Sequence, residues 1–113
     1  MPKNWTVTQT DECVLFAFRE HTRWDVSAAA SFPALASRRL ALQIRQDMWR
    51  ALQGQRGFSP VVRLQPATDG WSVQAGGQLS GPTAAAEAKI AQMFDNAALR
   101  ARWTRFAQKG MLT

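Results

Sequence analysis

Residues 59–80, SPVVRLQPATDGWSVQAGGQLS, decide the architecture. Two apolar-rich runs flank PATDG, where Pro66 and Gly70 bracket a turn and Asp69-Gly70 suits a left-handed backbone position. In the second run Trp71, Val73 and Ala75 share one face, and Ser72 and Gln74 share the other. That two-residue period marks a half-buried strand. The pattern predicts an antiparallel hairpin over about 60–80, with Gly76-Gly77 bulging or bending its second strand.

Helical periodicity flanks the hairpin. Upstream, a long helix is expected over about 33–53, with Pro33 at its first position and Gly54 and Gly57 past its end. Leu40, Ala41, Ile44, Met48, Ala51 and Leu52 cover one arc of it. Downstream, Pro82 and Thr83 open a helix over about 83–94, with Ala86, Ile90, Met93 and Phe94 as its apolar stripe. Asp95-Asn96 breaks that helix and caps the next, over about 97–109, where Leu99, Trp103 and Phe106 align before Gly110.

The N-terminal third is less determinate. Thr10 and Asp11 suit a helix start, yet CVLFAFRE is an apolar run of strand length. The strand, over about 13–19, is preferred because Val and Phe favour a pleated surface. VSAAASFP, 26–33, reads as a connector or short helical turn, and residues 1–10 as a frayed strand or loosely attached arm. The expected fold class is α+β: a small antiparallel sheet with one long helix and two C-terminal helices to one side. A chain of 113 residues suits a single domain over 1–113.

The formal charge is +6, from 11 Arg and 3 Lys against 8 acids. That balance favours nucleic acid or an acidic protein surface as partner. The bias of a GC-rich genome toward Arg and Ala is the plainer explanation of the composition. Cys13 is the only cysteine, which rules out an internal disulfide and suits a reducing cytosol. No secretory leader pattern and no membrane-spanning apolar run is present, so a cytoplasmic protein without a membrane partner is expected.

Catalytic signals are poor. GGQLSGPT precedes a helix, but Pro82 stands where a phosphate loop needs Lys, and proline removes a backbone donor there. Cys13 and His21 stand too far apart on either a strand or a helix to act as a pair, and one Cys with one His builds no typical zinc site. An enzyme would require the fold to gather Glu20, His21 and Asp25 beside a pocket. The expectation is therefore a non-catalytic binding module, without cofactor or metal.

Two surfaces are candidates. Arg38, Arg45, Arg100, Arg102, Arg105 and Lys109 form arginine-rich helix flanks suited to phosphate contact. Solvated helix flanks, with cations near a C-terminus, are the ordinary alternative. Leu35, Leu42 and Trp49 recur every seven residues, nearly opposite the long helix's core face, with Arg38, Arg39, Arg45 and Arg50 around them. Burial within the chain is the ordinary reading of that stripe. The alternative is a protein–protein contact, as a homodimer or a small component of a larger assembly. Among the tryptophans, Trp24 between Arg23 and Asp25 is the best candidate for an exposed ring.

Overall fold

The hairpin forms as its alternation requires. In the computed structural model, Ser59–Ala67 and Gly70–Gln78 pair in antiparallel register, with Leu64 opposite Val73 and Val62 opposite Ala75. The structure describes residues 6–9, 14–17, 24–55 and 57–109, with backbone alone at 6–9, 17 and 109. In chain order the elements are β1 (Thr6–Gln9), β2 (Val14–Ala17), β3 (Val26–Pro33), α1 (Ser37–Leu52), β4 (Ser59–Ala67), β5 (Gly70–Gln78), α2 (Ala84–Asp95) and α3 (Ala97–Lys109). The five strands make one antiparallel sheet in the order β1-β2-β4-β5-β3.

Three details differ from the sequence expectation. VSAAASFP is neither connector nor helical turn: it is β3, an edge strand paired with β5 along its whole length. Val26 and Phe32 point into the core, with Ala28 and Ala30 between them partly buried. Alanine carries little strand propensity, so this strand owes its form to hydrogen bonds from β5. The long helix therefore starts at Ser37 rather than Pro33, because the preceding residues are committed to the sheet. Nor do Gly76 and Gly77 bulge. Residues pair one-to-one through both, in both ladders. A Cβ on Gly76 would lie 1.9 Å from the Val26 carbonyl oxygen, and Gly77 has φ of 143°. The two glycines permit close backbone approach on either side of β5.

The expected third strand exists as β2, Val14–Ala17; positions 13, 18 and 19 lie outside the described residues. Within the expected N-terminal arm, Thr6–Gln9 pairs with β2 as the outermost strand. Pro60 and Pro66 lie in β4, a central strand, where a missing N–H is normally costly. Among the described residues β2 pairs with Val61–Leu64, the stretch between the two prolines.

All three helices pack on one face. α1 lies against β4, α2 against β3, and α3 against α1 and α2. The core between the layers joins Phe16, Val62, Leu64, Val73 and Ala75 to Leu40, Ile44 and Met48 of α1 and Ile90 and Phe94 of α2. Trp103 of α3 is fully buried. Its ring packs with Phe32 and Phe94, centroids 6.1 and 6.2 Å away, an aromatic triad joining β3, α2 and α3. The opposite sheet face bears exposed Ala29, Ser31, Gln65 and Ser72.

Candidate nucleic-acid interface

α1 and α3 carry eight cationic residues and one acid, Asp47. The two helices run antiparallel. At one end the Ala36 N–H donates to the Ala107 carbonyl (3.4 Å), and the Arg39 guanidinium lies 5.1 Å from the Phe106 ring centroid. Toward the other end Asp47 meets Arg102 and Trp103. The two arginine clusters predicted on separate helices thus share one seam.

Asp47 organises that seam. It follows Ile44 by three residues and Leu40 by seven, which turns it toward the buried side of α1. Its carboxylate is 7% exposed. One oxygen accepts the Trp103 indole N–H (2.6 Å) and a hydrogen bond from Arg102; the other faces Arg50 at 3.5 Å. The only acid of the helix pair is therefore spent internally. Among the other described acids, Asp95 is exposed at the end of α2. Asp25 accepts the Leu79 N–H (2.9 Å), Glu87 accepts the Ser27 N–H (3.2 Å), and Asp69 occupies the β4–β5 turn.

The six predicted phosphate contacts separate by environment. Arg38 and Arg105 are exposed, and Arg102 is 47% exposed while held by Asp47. Arg45 is 8% exposed, and burial lowers its guanidinium pKa below the ordinary value. Arg100 donates to the carbonyls of Phe94 (3.2 Å) and Ser31 (2.7 Å) and stacks 4.2 Å from the Phe32 ring centroid. It ties α3 to α2 and to the outer edge of β3. The Lys109 side chain lies outside the description. Arg39 and Arg50, seen in the sequence only as flanking charges, are exposed on the same helix pair. An acid on the apolar side of a helix was the available signal for the seam, since such a group demands buried donors.

The Leu35, Leu42 and Trp49 stripe does not persist as one helical line. Leu35 precedes α1, is 5% exposed and belongs to the core; its carbonyl accepts the Trp71 indole N–H (2.9 Å). Leu42 and Trp49 are half-buried on the α1 flank away from α3, and Trp49 stacks on Phe58 at 6.5 Å. Trp24 is half-buried, with the Arg63 guanidinium 5.7 Å from its ring centroid.

No family model, curated protein or solved structure matches this chain.

Glu20, His21 and Cys13 lie outside the described residues. An open cleft of about 520 Å³ lies where Phe32 and Pro33 meet the β4–β5 turn and Trp71, and Asp69 is its one ionisable lining residue. Among the described residues no group of three or more His, Cys, Asp or Glu could hold a metal. No described helix is long and apolar enough to cross a membrane.

Proposed function

We propose that this chain is a non-catalytic module that binds the phosphate backbone of a nucleic acid through its α1–α3 face. The observation that carries the reading is charge segregation. The helix pair holds eight cations, and its one acid is buried between them. Arg38, Arg39, Arg50, Arg102 and Arg105 remain accessible on that pair. Guanidinium is the better fork for phosphate oxygens. Contacts of this kind position a backbone without reading bases, so binding is expected to be indifferent to sequence.

Fluorescence anisotropy with random-sequence duplex and single strands, titrated across salt concentrations, tests this. Engagement of about four phosphates gives a log–log salt slope near −4 for duplex. No salt-sensitive binding at about 50 mM salt would remove the proposal.

The half-buried Leu42 and Trp49, with Phe58 stacked on Trp49, favour a second reading as a homodimer through this flank. Light scattering on a size-exclusion column gives the mass. A monomer at about 100 μM would end that reading.

A further inference from the structure

We propose that Arg50 and Arg102 form a two-guanidinium clamp for a single backbone phosphodiester, with Asp47 as its positioning residue. The inference deepens the backbone-binding reading above and rests on it. Arg50 comes from the last turn of α1 and Arg102 from the middle of α3, so the pair exists only where the two helices meet. Both heads reach solvent, at 60% and 47% exposure, while the carboxylate between them is 7% exposed.

Two like-charged side chains from different helices would ordinarily splay apart. Here one carboxylate holds both. Its Oδ1 faces an Arg50 terminal nitrogen at 3.5 Å, and its Oδ2 accepts from Arg102. The buried Trp103 indole N–H, 2.6 Å from Oδ2, stops that carboxylate from turning. A guanidinium has five N–H donors, and each head uses one nitrogen on Asp47. The remaining donors are free to take the two non-bridging oxygens of a phosphodiester, one from each helix. The trio keeps a net positive charge. Its negative member lies beneath the surface, so an anion approaches guanidinium first. Ordering two long side chains before the ligand arrives lowers the conformational cost of binding.

Charge-preserving substitutions separate an organised clamp from a diffuse basic face. R50K/R102K leaves the net charge unchanged but replaces planar forks with point charges. R38K/R105K makes the same exchange on the helix pair at positions not held by Asp47. Affinity for a labelled 16-nucleotide strand and its duplex is read by anisotropy at about 50 mM salt, after near-UV circular dichroism has shown each variant folded. The clamp predicts about tenfold weaker binding for R50K/R102K and less than twofold for R38K/R105K. Should the double variant lose its fold, R50K alone carries the test, with about threefold weakening expected.

Asp47→Asn adds one unit of positive charge, so unorganised electrostatics predicts tighter binding, whereas loss of positioning predicts weaker binding. Equal losses in the two double variants, or none in R50K/R102K, would overturn the clamp and leave backbone binding intact. Tighter or unchanged binding by Asp47→Asn would overturn the role of Asp47. No binding by the unsubstituted protein would overturn both this inference and the reading it rests on.

Discussion

Asp47→Ala is the most informative single perturbation of the fold, because one carboxylate serves three donors. Two of the donors can fall back on water. The Arg50 and Arg102 side chains are 60% and 47% exposed, and each such pair contributes only about 0–1 kcal/mol. The third cannot. Trp103 is fully buried, and its indole N–H donates to Asp47 at 2.6 Å. Leaving that donor without an acceptor costs about 1–3 kcal/mol. The combined expectation is a loss of about 1–5 kcal/mol. For a chain of this length each kcal/mol lowers Tm by about 4 °C, so the transition should fall by about 4–20 °C. Urea denaturation followed by circular dichroism gives the free energy directly, with an unchanged slope expected if the unfolded state is unaffected. A double-mutant cycle isolates the cause. Trp103→Phe keeps a ring in the aromatic triad and deletes the N–H. In that background Asp47→Ala should cost about 1–2 kcal/mol less than in the unsubstituted chain. A loss under about 1 kcal/mol, or equal losses in the two backgrounds, would refute the assignment of the buried hydrogen bond as the seam's anchor.

Other substitutions test separate joints of the structure. Gly76→Ala places a methyl where the Val26 carbonyl oxygen already stands, 1.9 Å from the built Cβ, and should cost about 3 kcal/mol or prevent soluble expression. Thermal melts of the purified variant decide this; near-normal stability would show that β3 is not held against β5 as described. Asn96 caps α3 by accepting the Leu99 N–H (3.1 Å), so Asn96→Ala should lower stability by about 1 kcal/mol, measured by urea denaturation. Arg45→Met keeps an unbranched stem and removes the buried charge. Burial lowers the folded-state pKa of this base, so folding is penalised at every pH where the group is charged. Arg45 is not without a partner in the fold, so its removal sets relieved desolvation against a lost contact, and Tm should shift by less than about 5 °C; a larger fall would show that the contact outweighs the burial penalty.

Much of the fold was legible because its signals are local. The Pro66–Gly70 turn, the Trp71/Val73/Ala75 alternation and the Ile90/Met93/Phe94 stripe each lie within a few residues of chain. They appear as the β4–β5 hairpin and α2. α3 begins at Ala97, directly after the Asp95-Asn96 break. β3 escaped because its alternation is carried by Val26, Ala28, Ala30 and Phe32, and alanine is nearly silent in a hydropathy pattern. The candidate site was half legible. Runs of arginine were visible, but their sorting into exposed Arg38 and Arg105, pinned Arg100 and buried Arg45 was not. Side-chain solvation depends on what the neighbouring element covers, and no spacing rule contains that.

The amino-acid sequence by itself determined the α+β class, the hairpin, the extents of the two C-terminal helices and the excess positive charge on two helical stretches. Each follows from periodicity, turn chemistry or composition, which act within one segment. Tertiary structure decided that VSAAASFP is an edge strand, because the hydrogen bonds that make it one come from β5, 37 to 51 residues away in register. It also decided that Asp47 joins Arg102 and Trp103, since α1 and α3 become neighbours only when both bury their apolar faces. A buried carboxylate must find donors, and only the packed chain determines which ones are near.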